Sequence, residues 1–476
     1  MVNSNTLSER YATKEMNHIF SERTRIRMEH QLWITVMEAQ RELGIAIPAD
    51  DIAKYKEVID DIDPEAIRQR ELKLKHDVKA RIETFVTAAG ATECIHLGMT
   101  SRDLTDNVEQ MQFRDASQLI FGKYVSVLRH LIDKAAQYRD TIIAARTHYK
   151  PAQPTRLGRR FASWAEELLF HLQDFETFIE RYPLRGMKGA VGTQSDMLTL
   201  LGSAEKVYKL EKIVADKLGF GTVLNAPGQI YPRSLDYKLL SHLSFMSAAC
   251  ESFATTMRLM AGADLVSEGF GEMQTGSTAM PHKMNPRSCE RVCSFASLLK
   301  MYTDGASRIS GAQWNEGDVS CSATRRTVMP DAFYTSDGLC ETTLTVLNEM
   351  EVYQPVINAE LDRYLPFMAS TELLLLATSK GIGREMAHKI IKHHSVSEAQ
   401  RVMREGGDTN NIAYALADDP LFKKHDITYD DIHEAINRRK QMTGTARMQI
   451  ESVTADVSTM LRKYQTEATY EPQAIL

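Results

Sequence analysis

The run Gly276-Ser277-Thr278-Ala279-Met280-Pro281-His282-Lys283-Met284-Asn285-Pro286 gathers a hydroxyl, an ammonium and an amide behind a glycine-rich approach, Gly269 and Gly271. Glycine lets a backbone move and aim its N–H groups at an anion, while Pro281 and Pro286 stiffen the segment between two helices. Ser277 offers an oxygen base if its alkoxide is stabilised, Lys283 a cation for a carboxylate, and Asn285 a hydrogen-bond donor. A plain polar loop between helices is the alternative, but these residue types at this spacing rarely coincide in one. A second segment, Ala145-Arg146-Thr147-His148-Tyr149-Lys150-Pro151-Ala152-Gln153-Pro154, carries a histidine that could donate or accept a proton. Alone, such a histidine is more often structural.

Long helices must position these groups. The 14 prolines cluster, leaving none between Pro64 and Pro151, between Pro232 and Pro281, or between Pro286 and Pro330, and proline-free stretches permit long helices. From Gln110 to Arg139, Phe121, Tyr124, Val125, Leu128, Leu131, Ile132 and Ala135 recur at helical steps. A helix is expected over Ser21 to Leu43, ended by Gly44 and Pro48, and another near Ser288–Lys300. Leu239 to Ser267 holds few charges (Glu251, Arg258, Asp264), no proline, and small or apolar residues on every face, so it reads as a helix buried all round at the centre of a bundle. One chain of this length can hardly surround it, and burial against copies of itself predicts a homo-oligomer. Strand signals are scarce. The expected organisation is 1–108, a long-helix core over 109–366, and 367–476.

Composition narrows the rest. Hydrophobic residues at 43% and charged residues at 25% are those of a globular chain. Its net charge of −6, with both signs interspersed, gives no footprint for nucleic acid or membrane. MVNSNTLSER has no apolar signal core and no apolar run reaches membrane-spanning length, which predicts a cytoplasmic protein. The cysteines Cys94, Cys250, Cys289, Cys293, Cys321 and Cys340 form no C-x-x-C pair and are read as reduced and mostly buried. Gly381-Ile382-Gly383-Arg384-Glu385-Met386-Ala387 mimics a dinucleotide turn, but a Leu/Ala-rich run precedes it and no βαβ pattern surrounds it, so a helix–turn–helix junction is expected. His388, His393 and His394 make no metal motif. No metal and no other cofactor is expected.

The 276–286 segment resembles the signature of the fumarase/aspartase superfamily, GSSxMPxKxNP, with Thr278 where a second serine is usual. The resemblance implies a three-domain, all-α fold whose tetramer builds a central bundle of twenty helices, with each active site shared between subunits. It also implies proton abstraction beside a carboxylate, expulsion of an amine or hydroxyl, and release of fumarate. Ser277 becomes the expected base and His148, in a segment similar to the superfamily's Arg-Thr-His element, the expected acid. Many members have glycine where Tyr149 stands.

Further segments resemble the adenylosuccinate lyase branch. Lys75-His76-Asp77-Val78 is similar to its histidine-aspartate element, and His96-Leu97-Gly98-Met99-Thr100-Ser101-Arg102-Asp103 to its H-x-G-x-T-S-x-D. Arg10-Tyr11 resembles the pair that grips the nucleotide. Gln229, Arg233, Ser322 and Arg326 fall in stretches similar to those contacting substrate and phosphate, and Arg291 resembles another contact. Lys283 and Asn285 are expected to hold the substrate carboxylate, while Lys75, His76, Asp77, Thr100 and Ser101 complete the binding set. Gly317 departs from the pattern, since relatives commonly carry arginine there. The implied substrates are small succinyl nucleotides carrying two carboxylates and a phosphate: adenylosuccinate, and the succinyl-carboxamide imidazole ribotide. Alternatives within the fold are a 3-carboxymuconate cycloisomerase and a non-enzymatic scaffold.

Overall fold

The computed structural model describes residues 5–269, 279–280, 282–406 and 410–474. Among them helices dominate, and the strands form two short antiparallel pairs. The N-terminal part holds α1 (Thr6–Arg10), α2 (Glu22–Glu42), α3 (Pro64–Leu74) and α4 (Asp77–Ala89). Caps set their boundaries. Ser21 accepts the Thr24 N–H to start α2, and Asp63 accepts the Ala66 N–H to start α3, with Pro64 in its first turn.

α5 (Ser101–Gln137) is the longest helix and leads into a hairpin of β1 (Ile142–Thr147) and β2 (Lys150–Arg156). α6 (Leu157–Glu180) returns antiparallel to α5. α7 (Ser234–Ala261), α8 (Arg287–Ile309) and α9 (Ser322–Glu349) complete the bundle. Antiparallel packing of α6 on α7 shows in Trp164 against Phe253 and Phe175 against His242. α5 and α9 run parallel, Glu109 meeting Arg325 and Lys123 meeting Asp337. One apolar core joins these helices, with Trp33, Leu104, Tyr124, Leu128, Phe161, Leu243, Phe253 and Leu344 fully buried in it. Its side chains interlock from every helix of the bundle, so the ends of the helices are held at fixed separations.

A second apolar cluster gathers Leu361 and Leu365 of α10 (Gln354–Met368) with Leu373, Ile391, Phe422 and Ile432, and Ala144 of β1 packs into it. α11 (Ala446–Lys463) then returns to the main core through Ile450, Val457 and Met460. Pro330 and Pro366 both lie inside helices.

The apolar stretch expected to be helical through Ser267 stops at Ala261. The chain turns through Asp264 at φ 57°, and Val266–Ser267 pairs with Glu351–Val352. Small and apolar residues continue past Ala261 to Leu265 and Val266, so the composition does not mark the helix end, and the strand pair takes over backbone hydrogen bonds. Within one chain α7 is also not covered all round, since Phe245 and Leu259 are 54% and 45% exposed. The dinucleotide mimic is a turn between helices Ser370–Ser379 and Arg384–Glu405, with Gly381 at φ 92°. All six cysteines are free thiols, and all but Cys293 are buried. Among the described residues no helix is long and apolar enough to cross a membrane.

Candidate active site

The N-terminus of α5 is built on two buried carboxylates. Asp103 accepts the Thr100 N–H at 2.8 Å, pairs with Arg185, and takes the N–H groups of Lys188 and Gly189 at 2.8 and 3.1 Å. One side chain thereby fixes both the start of α5 and the 185–189 loop. Asp106 binds Arg102 at 3.1 Å, Arg233 at 3.1 Å, and the Tyr231 N–H at 3.3 Å. Arg325 reaches Asp236 and Glu109, both at 2.6 Å, and the Tyr231 hydroxyl. Buried charges survive only when paired and hydrogen-bonded, so this network sets the geometry of the bundle end firmly.

On that scaffold sit Thr100 and Ser101, half-buried at the mouth of α5, and Gln229, whose N–H donates to the Glu316 carbonyl at 2.7 Å. Ser322 begins α9 and exposed Arg326 lies one turn further on the same face. Arg233, expected among the anion contacts, is 1% exposed and bound by Asp106, so its charge is neutralised inside the chain. Gly317 takes φ 151°, a conformation disfavoured for a side-chain-bearing residue, and lies against Gln229 and Ile230. The missing arginine is thus accompanied by a turn that suits glycine.

Lys75, His76 and Asp77 join α3 to α4 at this same end. Lys75 closes α3 at φ 55°, and the His76 ring caps α4 by accepting the Lys79 N–H at 3.3 Å. Asp77 binds Arg81 at 3.0 Å. Although burial opposes it, that guanidinium and the Val78 N–H hold the carboxyl below its ordinary value. His96 has a lowered proton affinity, first from burial, while Asp103 raises it and the neighbouring charges of His76 and Lys79 lower it again. Trp33 donates its indole N–H to His96 Nδ1 at 3.1 Å, which leaves Nε2 to carry the proton of the neutral ring.

A second group lies where α8 begins. Tyr11 packs edge-on to Phe295, ring centroids 5.1 Å apart, with the Arg291 guanidinium 5.3 Å from its ring and that of exposed Arg10 at 5.9 Å. Lys283 is exposed, its N–H donating to the Met280 carbonyl at 3.0 Å, and half-buried Asn285 accepts the Arg287 N–H at 2.9 Å. Glu268 crosses the approach to this helix, its two oxygens accepting the Ser288 and Cys289 N–H groups at 2.8 and 2.9 Å. A carboxylate at that position compensates the helix dipole. Ser277 lies outside the described residues.

His148 is placed apart from His76 and Ser101. It occupies the exposed tip of the β1–β2 hairpin with φ 50°, beside Tyr149 at φ 62°. Two successive left-handed residues make the turn whose twist matches the paired strands. The backbone that glycine would take without cost is therefore kept with tyrosine. Arg146 supports the tip by pairing with Glu360 and lying 5.5 Å from the Tyr149 ring. The hairpin begins just after α5 ends. The 37 residues of α5 span about 55 Å at ~1.5 Å per residue, and the hairpin carrying His148 starts from the end of that helix opposite Ser101.

Sequence reasoning missed Arg185, Lys188, Glu268 and Arg325 because their partners lie 20 or more residues away, with no local spacing to reveal them. Asp103 lies within the His96–Asp103 segment, but its hold on the 185–189 loop spans more than 80 residues and leaves no mark in that spacing.

Comparison with known proteins gives consistent results. A lyase family model matches residues 9–298. Adenylosuccinate lyase of Saccharomyces cerevisiae is 37% identical over 466 residues, covering 96% of this chain and 95% of that protein. The Schizosaccharomyces pombe adenylosuccinate lyase is 35% identical, covering 98% and 97%. Among solved structures, 3-carboxy-cis,cis-muconate lactonizing enzyme from Pseudomonas putida superposes with a TM-score of 0.82 at 19% identity, covering 97% of this chain and 100% of that one. A fumarate lyase from a Mesorhizobium species gives 0.79 at 21%, covering 94% and 99%. Identities this low speak for the fold alone.

Proposed function

Because this chain belongs to the adenylosuccinate lyase family, within the fumarase/aspartase superfamily of fumarate-releasing lyases, we propose that its substrates are succinyl nucleotides. It eliminates fumarate from adenylosuccinate to leave AMP, and from the succinylated carboxamide imidazole ribotide of the same purine route. The observation that carries this is likeness to adenylosuccinate lyases along nearly the whole chain, not the fold, which cycloisomerases share.

Removal of the succinyl Cβ proton leaves charge on the neighbouring carboxylate, and that charge is what the site must stabilise. Ser277 takes the proton, and Lys283 and Asn285 hold the carboxylate. His148 protonates the departing nitrogen as the C–N bond breaks, with His76 orienting substrate or acid. Arg10, Tyr11, Arg291, Ser101, Thr100, Gln229, Ser322 and Arg326 supply donors and cations for the phosphate and the remaining oxygens. Lys75 and Asp77 shape the turn that presents His76. Serine is a poor base in water, so solvent must be excluded from Ser277 before it takes the proton.

The working unit in this proposal is a homotetramer with sites shared between subunits. Two features support it: His148 follows the end of α5 opposite to Ser101 and the neighbouring His76 turn, and α7 leaves the apolar side chains of Phe245 and Leu259 uncovered. The three sequence segments 1–108, 109–366 and 367–476 are its proposed domains. Free, mostly buried thiols suit the reducing cytoplasm, where we place it.

Incubation with adenylosuccinate should yield fumarate and AMP in equal amounts. Turnover of a carboxymuconate instead would establish the cycloisomerase reading, and no turnover of either would leave a scaffold.

A further inference from the structure

Lys123, Asp337 and Glu341 form a buried cluster between α5 and α9, each 1% exposed or less. Lys123 pairs with Asp337 and with Glu341 at 2.7 Å. Two carboxylates against one ammonium leave an excess negative charge, which only further donors can satisfy at such burial. Those donors come from both chain termini. Asp337 accepts the Thr13 N–H at 2.6 Å and the Thr13 hydroxyl at 2.9 Å. Glu341 accepts the Tyr470 hydroxyl and the Gln473 N–H, the latter at 2.6 Å. Gln473 also donates to Glu15 at 2.9 Å, tying the two ends directly. Thr13 is two residues from Tyr11, and between the two carboxylates α9 carries Gly338. A Cβ there would meet Tyr11 Cβ at 2.9 Å and the Tyr11 carbonyl at 3.0 Å.

We propose that this cluster, Gly338 and the C-terminal tail at Tyr470–Gln473 are positioning elements for Arg10-Tyr11, so that the tail sets nucleotide affinity without touching the nucleotide. The proposal rests on the reading above that Arg10-Tyr11 grips the nucleotide. Thr13 and Gly338 fix the height of Tyr11 on α9, and Tyr11 in turn lies against Arg291 and Phe295. Releasing the tail leaves Glu341 short of donors and loosens the pull of the cluster on Thr13.

The test measures AMP binding by calorimetry, and inhibition by fumarate, on Tyr470→Phe, Gly338→Ala and Arg10→Met in the full-length assembled enzyme. Tyr470→Phe removes one hydrogen bond and should weaken AMP about threefold to tenfold. Gly338→Ala should do at least as much, with fumarate inhibition and kcat unchanged in both. A purely structural role would lower Tm with AMP affinity unchanged, and that result overturns the proposal. Arg10→Met separates the premise. If it weakens AMP while Tyr470→Phe and Gly338→Ala bind like the parent, the coupling alone is wrong. If Arg10→Met binds AMP normally, the grip assigned to Arg10-Tyr11 is wrong, and the proposal falls with it.

Discussion

Ser101 opens helix α5 and His148 tips the hairpin that follows its other end, with the 37 residues of that helix, about 55 Å at ~1.5 Å per residue, running between the two elements. No closure of a short loop brings such groups together within one chain. The separation is rigid, because α5 is packed into the main core along most of its length. In the proposed tetramer, another copy of the same bundle supplies the missing partner.

Asp103 should be the most damaging single loss at the Ser101 end. Asp103→Ala would strand the fully buried Arg185 and orphan the N–H groups of Lys188 and Gly189. Breaking a buried pair from one side costs about 3–5 kcal/mol. Urea unfolding should show that loss, and a midpoint near the parent's would refute the anchoring role.

At the start of α8, Glu268→Ala removes the acceptor for Ser288 and Cys289 N–H groups. The expected cost is about 1–2 kcal/mol, a strong cap combined with the dipole. Turnover should fall more than stability alone explains if the start of α8 helps to place Lys283 and Asn285. Unchanged kcat in a folded variant would confine Glu268 to capping.

Arg326 is exposed, so Arg326→Met should change stability by no more than about 0.5 kcal/mol. Losing a charge-assisted contact should raise KM about tenfold or more. Steady-state kinetics with adenylosuccinate measure this directly, and an unaltered KM would remove Arg326 from the phosphate contacts.

His30 gives the fold a defined acid sensitivity. Burial lowers it from 6.5 to about 4, despite its Nδ1–H donating to the Ile59 carbonyl at 2.9 Å, and it stacks on Phe85 at 3.6 Å. The unfolded chain therefore binds this proton first as pH falls. The stability that the neutral ring contributes is fully present above pH 6.5, declines down to about pH 4, and is level below it, at most about 3 kcal/mol in all. His30→Gln should be less stable at neutral pH, yet lose less between those limits. An identical slope in parent and variant would contradict the assignment.

Periodicity and caps made much of this legible beforehand. Ser21 and Gly44 bracketed α2 because a capping hydroxyl and a positive-φ glycine act locally. The end of α7 was not legible, since small and apolar residues (Ala261, Ala263, Leu265, Val266) continue past it, interrupted by Gly262 and Asp264, while the chain changes from helix to turn to strand. The same contrast holds in the site. His148 and Lys283 announce themselves by sequence context, whereas the burial of Arg233 against Asp106 depends on residues 127 apart. Charge pairing over such distances leaves no trace in spacing.

The most direct test of shared sites mixes two inactive variants, His76→Gln and His148→Gln, by reversible unfolding and reassembly. His76 lies beside His96 near the start of α5 and His148 on the hairpin after its other end, so mixed assemblies should contain junctions where both native rings meet. Activity should recover well above that of either variant treated alone. If mixed assemblies demonstrably form and remain as inactive as their parents, the two histidines do not serve one site built from different copies, and the account fails.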